Sequence, residues 1–454
     1  MTYKLPPREN THATFGVLTT MSGDYQGDES IALLFILQEV GMSLDRSLQG
    51  NRSYWQETHD LNVPHQPLPA RANYVVVGGG IVGSATAYFL AKGGHNVVLI
   101  ERVHPAHGAT GRNGGFIGVG PAEGYVGAIA RLGKAHAQQI HELTLQNARL
   151  ARQIIREEGF DCHFREPGTL NLSISPQDHN DAVRNVAALK ADGYTGELLD
   201  RAQVQAMVNT PLGEEIVGAS YYAGNALIHS GRLVRGVVDA AIRHGAILSI
   251  ATVDHIKQVN GHPVVVTDKG EIAAESVVLG LNAWSRQLAP ALNGVITPVR
   301  GQILNTAPIA PVFTNGMGTD ITPTGEYWQQ TVDGSIVLGG CRAIAHNKDV
   351  NLYDIGITDD VQGALDAVLP RLFPKLAGTP IARRWAGLMG FTPDYVPVLD
   401  AMPDQANVWA GGGFCGSGMP FGFVFGKYLA QAAVEHKTPA EVAPLALSRP
   451  TLAK

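Results

Sequence analysis

The sequence contains little charge and little cysteine for its length. Only 16% of its 454 residues are charged, the net charge is −6, and Lys and Arg form no consecutive block longer than a pair. The chain therefore lacks the basic surface that a nucleic-acid partner requires. Its three cysteines, Cys162, Cys341 and Cys415, include no C-x-x-C pair, which argues against a zinc site or a redox dithiol. We expect reduced thiols and a cytoplasmic location.

Long hydrophobic runs are also missing. The longest early run, residues 31–37, has seven residues, whereas a membrane-spanning helix needs roughly 20. The chain begins with polar residues, Thr2, Lys4, Arg8 and Glu9, and does not resemble a secretion signal. We therefore predict no transmembrane segment and no signal peptide, and we expect the short run to belong to a packed helix.

What is present is typical of a folded enzyme. Hydrophobic residues make up 45% of the chain, and 53 residues are glycine. The length predicts two domains, preceded by an N-terminal extension over residues 1–70 that ends in a proline-rich stretch. The predicted fold class is α/β, or α+β when the whole chain is considered.

A βαβ unit is predicted near the start of the first domain. The residues Tyr74–Val77 predict a strand, Ile81–Lys92 a helix, and Asn96–Ile100 a second strand. The G-x-G-x-x-G motif that starts at Gly78 allows a tight turn and brings a pyrophosphate close to the helix N-terminus. Glu101 follows 23 residues later, where a carboxylate can accept hydrogen bonds from a ribose. This spacing predicts a dinucleotide site.

Further elements follow from periodicity and capping signals. Apolar residues from Ile140 to Ile154 recur at helical spacing, and Ser175-Pro176 has the cap and the first-turn proline of a helix start. The other predicted elements are a helix over 233–244 and strands over 168–174, 246–253, 264–267, 276–280 and 335–338.

A second glycine cluster, residues 108–115, follows the second strand. Its backbone is small enough to pass close to a bulky ring system, which favours FAD over a nicotinamide cofactor. Two alternatives stay open at this point. One is a nicotinamide-dependent dehydrogenase in which the cluster is coincidental, and the other is a flexible surface loop.

The order of these and further motifs resembles the FAD-dependent amino-acid and amine oxidases. This D-amino-acid-oxidase-like family includes glycine oxidase, sarcosine oxidase and γ-glutamylputrescine oxidase, and the last branch is the most similar. Besides the glycine clusters, the motifs are Ser53-Tyr54-Trp55, Asn282-Ala283-Trp284-Ser285, Pro298-Val299-Arg300-Gly301-Gln302, Trp385-Ala386-Gly387, Thr392-Pro393-Asp394 and Gly413-Phe414-Cys415-Gly416-Ser417-Gly418-Met419.

The resemblance implies a discontinuous Rossmann-like FAD-binding domain with a mixed-sheet substrate domain. The implied FAD-binding domain comprises residues 71–162, 224–297 and 383–454, and the substrate domain comprises 163–223 and 298–382. The implied reaction is oxidation of the C–N bond of a small amine or amino acid by hydride transfer to the flavin, giving an imine that hydrolyses. Oxygen or another electron acceptor would reoxidise the cofactor.

The family pattern also implies which residues contact FAD. Gly416, Gly418 and Met419 are expected near the pyrimidine edge of the flavin, opening a C-terminal helix whose N–H groups stabilise negative charge. The other expected contacts are Gly78, Gly80, Ile81, Val82, Gly83, Glu101, Arg102, Ala109, Thr110, Gly111, Arg112, Asn113, Gly114, Gly115, Val253 and Gly387.

Departures from the family pattern bear on the substrate. The carboxylate-binding arginine of glycine oxidase corresponds to Met389, which cannot form an ion pair. The residues that bind flavin covalently in sarcosine oxidases and in dimethylglycine dehydrogenases correspond to about Gly387 and Arg112, so a noncovalent FAD is expected. No catalytic residue is identified. The predicted substrate contacts are Tyr327, Arg342, Met389 and Arg300.

Two further points concern alternatives. His104 and His107 form an H-x-x-H pair with no third ligand nearby, so no metal site is predicted. Because the carboxylate-binding arginine is missing, two alternative functions also stay open. One is a flavin-binding subunit without turnover, and the other is a dehydrogenase component that depends on a partner.

Overall fold

The structure is a computed structural model that describes residues 51–453. The apolar run at 31–37 lies outside these residues. This part of the chain forms nine α-helices and nineteen β-strands. The helices are α1 (Tyr54–Glu57), α2 (Ile81–Lys92), α3 (Tyr125–Leu132), α4 (Lys134–Glu158), α5 (Pro176–Ala191), α6 (Arg201–Met207), α7 (Ser230–Arg243), α8 (Asp359–Leu372) and α9 (Gly422–Glu435). The first nine strands are β1 (Tyr74–Val77), β2 (Val97–Glu101), β3 (Phe116–Ile117), β4 (Thr169–Ser173), β5 (Glu197–Asp200), β6 (Gly218–Tyr222), β7 (Ala226–Leu227), β8 (Ile247–Ile250) and β9 (Val253–Val259). The others are β10 (His262–Thr267), β11 (Gly270–Ala273), β12 (Ser276–Leu279), β13 (Thr297–Thr306), β14 (Gly316–Thr319), β15 (Glu326–Gln330), β16 (Ile336–Gly340), β17 (Ile381–Phe391), β18 (Val398–Ala401) and β19 (Val408–Gly412).

A six-stranded sheet contains the predicted βαβ unit. Its strand order is β18-β19-β12-β1-β2-β8, and all neighbours are parallel except β18 and β19. Every residue of β1 is buried, as expected for a central parallel strand covered on both faces. Helix α2 packs against α9 so closely that a Cβ on Gly426 would lie 2.4 Å from the Cβ of Ala85.

An eight-stranded mixed sheet forms the second large layer. Its order is β17-β13-β16-β15-β14-β4-β6-β5, with one parallel pair, β14 and β4. The long strands β13 and β17 pair from Thr297 to Thr306. One face of this sheet is covered by α8 and by an aromatic group that includes Phe313, Trp328 and Phe373. A meander of β9, β10 and β11 and a β3–β7 pair complete the sheets of residues 51–453.

The order of the strands along the chain confirms the predicted mixed α/β fold class. Strands of the six-stranded sheet come from residues 74–101, 247–279 and 398–412, and strands of the eight-stranded sheet lie between these segments. The boundary predicted at residue 383 needs correction, because it falls inside β17, which pairs with β13 along its length. Residues 383–391 therefore belong to the eight-stranded sheet.

Local sequence signals place most elements within a few residues. Ser175 caps α5 as predicted, since its Oγ accepts a hydrogen bond of 3.1 Å from the Asp178 N–H. The C-terminal helix begins later than expected, at Gly422. The segment before it turns at Cys415 and Gly416, whose φ angles of 51° and 88° are not helical, and Phe421 is the N-cap. None of the helices in the described range is both long enough and apolar enough to span a bilayer.

Candidate active site

The first glycine turn joins β1 to α2. Gly78 has a φ of +106°, and a Cβ on Gly83 would lie 1.9 Å from the Gly78 carbonyl oxygen. Gly80 is the N-cap of α2 and supplies no side-chain hydrogen bond to the first turn of the helix. The Ile81 N–H donates to Thr110 Oγ1 at 3.1 Å. Only glycine fits this geometry, which opens the N-terminus of α2 toward a neighbouring cavity.

Glu101 closes β2 beside this turn. Its carboxylate accepts hydrogen bonds from the N–H groups of Gly79 (2.7 Å) and Arg102 (2.8 Å). The Arg102 guanidinium lies 5.6 Å from the ring centroid of Trp284, and Val253 begins β9 close to the end of β8, the strand paired with β2. These residues therefore gather at the carboxyl edge of the six-stranded sheet, where dinucleotides bind in such folds.

The second glycine loop is shaped by close backbone contacts. A Cβ on Gly111 would lie 1.9 Å from the Ala106 carbonyl oxygen, and a Cβ on Gly114 would lie 2.6 Å from a ring carbon of Tyr327. The Asn113 side chain holds the turn, since its Oδ1 accepts from the Gly115 N–H at 2.9 Å. The glycines thus let the loop lie against the aromatic wall of the eight-stranded sheet.

Side chains from other parts of the chain support the second loop. Gln56 Nε2 donates to the carbonyls of Ala106 (3.1 Å) and His107 (2.8 Å), and Ser53 and Trp55 donate to the carbonyls of Gly111 and Asn113. From the sheet, Gln329 Nε2 donates to Gly114 O (2.8 Å) and Gly115 O (2.7 Å), and Trp385 Nε1 donates to Arg112 O (3.0 Å).

Arg112 is a buried cation in this loop. Its guanidinium donates to the carbonyls of His107 (3.1 Å), Ala386 (3.0 Å) and Asn51, while Nη2 has no hydrogen-bond partner within residues 51–453. Burial lowers the pKa of Arg112 to about 10, and Arg52 adds to the effect, so the side chain stays charged at neutral pH. A buried donor without a partner is costly unless a bound group satisfies it.

Both loops border one cavity of about 320 Å³. The opposite wall is formed by β13, β17 and the segment that precedes α9. Many of the residues predicted from the sequence line it: Gly80, Ile81, Val82, Ala109, Thr110, Arg112, Asn113, Gly114, Tyr327, Gly387, Met389, Gly416, Gly418 and Met419. The structure places the others outside its lining: Gly78, Gly83, Glu101, Arg102, Gly111, Gly115, Val253, Arg300 and Arg342.

The side of the cavity toward the eight-stranded sheet is aromatic and apolar. The Tyr327 ring lies over Gly339, where a Cβ would come within 2.6 Å of it, and packs edge-on to Phe116 with centroids 6.1 Å apart. Burial raises the pKa of Tyr327 to about 12, so its phenol stays protonated. Met389 lies between Gly301 and Gly416. This wall can exclude water from a bound molecule.

Several lining residues were missed from the sequence: Phe116, Gly118, Gly280, Asn282, Gly301, Ile303, Leu388, Phe414, Ser417 and Pro420. Asn282, Gly301, Phe414 and Ser417 belong to the quoted motifs, so the motifs found the segments without telling which side chains face inward. Phe116 directly follows the second glycine cluster, and this position was the signal from which it could have been predicted to line the cavity.

Two predicted substrate contacts need correction. Arg300 is buried, and its guanidinium is bonded to both carboxylate oxygens of Asp349 (2.9 and 2.8 Å) and to Asp354 (2.7 Å). Arg342 donates to the Lys348 carbonyl and lies 5.1 Å from the ring centroid of Phe391. Neither side chain lines the cavity, so we no longer propose either as a substrate contact.

The residues present fit a bound FAD. The N-terminus of α2, whose N-cap is a glycine without a side chain, suits a pyrophosphate. A glycine-lined cavity can admit a ring system, and the unpartnered Nη2 of Arg112 can donate to an acceptor group. The glycine turn, the carboxylate that ends β2 and the cavity beside a mixed sheet define a dinucleotide-binding oxidoreductase.

The chain belongs to the FAD dependent oxidoreductase family, whose family model matches residues 73–432. FAD is therefore its cofactor, as the sequence predicted, and the nicotinamide alternative is not supported. The chain is 26% identical over 400 residues to the gamma-glutamylputrescine oxidoreductase of Escherichia coli, covering 84% of this chain and 88% of that protein. It is 24% identical over 391 residues to the glycine oxidase of Geobacillus kaustophilus, covering 84% and 97%.

Solved structures agree on the fold. The crystal structure of glycine oxidase from Geobacillus kaustophilus superposes with a TM-score of 0.72 at 22% identity, covering 84% of this chain and 99% of that chain. That of L-proline dehydrogenase from P. horikoshii superposes with a TM-score of 0.71 at 25% identity, covering 84% and 98%. All of these relatives are named as enzymes. The alternative of a flavin-binding subunit without turnover is therefore not favoured.

Proposed function

We propose that this oxidoreductase oxidises the C–N bond of a small amine, which lies in the cavity between the second glycine loop and the eight-stranded sheet. The observation that carries the proposal is the aromatic and apolar wall of Phe116, Tyr327, Leu388 and Met389, which faces the glycine-lined side of the same cavity. The relatives named gamma-glutamylputrescine oxidoreductase and glycine oxidase support a nitrogen-containing substrate.

We assign the cofactor contacts in three groups. The turn from Gly78 to Gly83 would hold the pyrophosphate, with Glu101, Arg102 and Val253 toward the adenosine. The loop from Ala109 to Gly115, with Gly387, would border the flavin ring. Gly416, Gly418 and Met419 would lie at its pyrimidine edge, where N–H groups stabilise negative charge.

The binding mode of FAD is proposed to be noncovalent. By the family resemblance, the cysteine and the histidine that bind flavin covalently in some relatives correspond to about Gly387 and Arg112, and neither residue can form that bond. Denaturing the holoprotein with acid should therefore release all of the yellow flavin into the supernatant. Flavin that stays with the precipitate would contradict this part of the proposal.

The chain's own residues would prepare the amine for oxidation. When bound, FAD supplies the acceptor for a hydride, which leaves the carbon next to nitrogen with its electron pair and gives an imine. The apolar wall would desolvate an ammonium group and lower its pKa, which favours the neutral amine that can lose a hydride. Tyr327 and Met389 would position the amine, since orientation alone can supply much of the rate. Water hydrolyses the imine after transfer.

An amine is favoured over a simple α-amino acid by the charges of the cavity. Arg112 is the only Lys or Arg among its lining residues, and its other nitrogens already donate to backbone carbonyls. Met389 offers no bidentate partner for a carboxylate. An α-carboxylate would therefore lose its hydration without gaining a paired cation.

The experiment is anaerobic reduction of the purified holoprotein. Primary, secondary and N-methyl amines and D- and L-amino acids are added under argon, and the loss of the oxidised flavin band is followed. Bleaching by amines but not by α-amino acids supports the proposal. Bleaching by α-amino acids alone contradicts the substrate class. Readmitting air, with hydrogen peroxide measured, then tells whether oxygen or another acceptor takes the electrons.

A further inference from the structure

A second cavity of about 490 Å³ adjoins the proposed amine site. Phe116 and Tyr327 line both cavities, so the two spaces meet at this aromatic pair. The same face of the eight-stranded sheet continues beneath both, because Tyr327 on β15 pairs with Gly318 on β14, and Gly318 pairs with Asn171 on β4. Asn171 is exposed although β4 is an interior strand, since its side chain faces the second cavity.

The second cavity carries negative charge without a matching cation. Asp320, in the turn between β14 and β15, lines it and forms neither a hydrogen bond through its carboxylate nor an ion pair within the described range. Glu326, also in the lining, accepts from Thr322 Oγ1 (2.7 Å) and from the Ile321 N–H (2.8 Å). The lining contains no Lys or Arg. Asp320 is itself an exposed residue, and partial desolvation together with the nearby Glu326 raises the pKa of its carboxyl.

A buried histidine gives independent support for a ligand. His141 lines the cavity and is only 5% exposed, and its Nδ1 has no hydrogen-bond partner among the residues that the structure describes. Its ring lies on Tyr194 with centroids 3.9 Å apart and edge-on to Tyr125. Burial lowers the pKa of His141 to about 4, so the ring is neutral at neutral pH and does not offset the carboxylates. Buried polar nitrogens normally have a hydrogen-bond partner, and a bound molecule can supply one here.

We propose that the second cavity binds a cationic group at the far end of the amine substrate, with Asp320 as its ion-pair partner. The substrate class is then an α,ω-diamine or a longer polyamine, with one nitrogen at the flavin and another beside Asp320. This inference rests on the proposed amine oxidation for the orientation of the substrate. Binding at the second cavity, however, can be measured without turnover.

The surrounding side chains suit an alkylammonium ion. Aromatic faces such as those of Tyr194 and Tyr222 attract cations, and Asn171 and neutral His141 can accept hydrogen bonds from an ammonium N–H. A tail that ends in a carboxylate would instead meet Asp320 and Glu326 and be repelled. A purely apolar tail would form no ion pair with the Asp320 carboxylate.

The test compares tails of equal length on oxidised holoprotein under argon. The probes are 1,6-diaminohexane, hexylamine and 6-aminohexanoate, and binding is measured by isothermal titration calorimetry while flavin bleaching is followed in parallel. Asp320→Asn removes the charge at constant shape. Asp254→Asn, on the exposed strand β9, is the matched control for net charge.

The proposal expects the diamine to bind best and 6-aminohexanoate worst. Asp320→Asn should weaken diamine binding about tenfold or more, as for a lost charged partner, and leave hexylamine nearly unchanged. Asp254→Asn should change neither. Equal binding of diamine and hexylamine, or equal diamine binding by wild type and Asp320→Asn, would overturn the inference while amine bleaching keeps the proposed function. Diamine binding that depends on Asp320 without bleaching by any amine would uphold the second site and contradict amine oxidation.

Discussion

The two glycine-rich loops that border the first cavity are held in place by different means. The first, from Gly78 to Gly83, is fixed mainly by its own backbone and its neighbours in the six-stranded sheet. Gly83 fits against the Gly78 carbonyl, and a Cβ on Gly280, which follows β12, would lie 2.8 Å from the Gly83 nitrogen. The contacts are between backbone atoms, so glycine itself is the main requirement.

The second loop, residues 108–115, depends on side chains from distant segments. Donors from α1 and the residue before it reach its outer carbonyls, and donors from β15 and β17 reach the carbonyls that face the sheet. Trp55 also packs with Ile303 and Trp385 of the sheet. This loop therefore couples the cofactor side of the cavity to the substrate side. FAD affinity should depend on residues that never contact the cavity.

The largest expected effect comes from Gly83→Ala in the first loop. The added Cβ would meet a backbone oxygen at 1.9 Å, and neither the helix nor the strand can move without disturbing the sheet. We expect a loss of more than about 4 kcal/mol in the free energy of unfolding and no FAD in the purified protein. Gly363→Ala is the control, because Gly363 lies in helix α8 with nothing within 4 Å of its added Cβ. Gly363→Ala should gain stability. The free energy of unfolding of each variant is measured by denaturant unfolding, and its FAD content by the flavin spectrum. A Gly83→Ala protein that retains FAD would show that the turn adapts.

A similar contrast can be tested inside the second loop. In Gly111→Ala the new Cβ meets the Ala106 carbonyl oxygen at 1.9 Å, whereas in Gly108→Ala it meets nothing within 4 Å and the φ of −77° suits any residue. We expect Gly111→Ala to lose about 3 kcal/mol of stability through overpacking. Gly108→Ala should behave as wild type. FAD affinity by fluorescence titration of the deflavinated protein should follow the same order, and equal effects of the two changes would mean that the loop is not rigid.

The same difference explains what the sequence could predict. The first loop, its strand, its helix and Glu101 follow from residues within one short segment, and β1 and α2 have the predicted bounds. The glycines of the second loop were also recognisable. The side chains that donate hydrogen bonds to the second loop were not recognisable. Ser53 and Gln329, for example, lie 58 and 214 residues from the carbonyls that they bind. No periodicity or spacing in the sequence encodes such a contact.

The errors in the predicted site have the same origin. Arg300 stands in a recognisable motif, yet its role is set by Asp349, which is 49 residues away along the chain. The second cavity combines His141, Asn171 and Asp320 from a helix, a strand and a turn, and each residue alone is unremarkable in sequence. Tertiary pairing decides these roles, so they became visible only with the sheet in place.

An intermediate effect is expected for Gln329→Met, which keeps the side-chain size and removes the amide. The carbonyls of Gly114 and Gly115 then lose their donor in a buried position. We expect a loss of about 2 kcal/mol in stability, in the range for unsatisfied buried polar groups, and weaker FAD binding. Gln177→Met, on the exposed face of α5, is the control and should change neither quantity. An unchanged FAD affinity in Gln329→Met would separate the second loop from the sheet and contradict the coupling.

The smallest single effect should come from Trp55→Phe, and its value lies in combination with Gln329→Met. Phe keeps most of the packing and removes the Nε1–H that donates to Asn113 O, so we expect a loss of about 1 kcal/mol in the free energy of unfolding.

Because Trp55→Phe and Gln329→Met loosen the same loop, the double variant should lose less stability than the sum of the two single losses. Trp55→Phe with Gly363→Ala should be additive, because helix α8 packs against β13 and β16 and not mainly against the loop. Denaturant unfolding of all four combinations in each cycle measures the coupling. Additivity in both cycles would mean that α1 and the eight-stranded sheet hold the loop independently, and the second loop would then resemble the first in being a sum of local contacts.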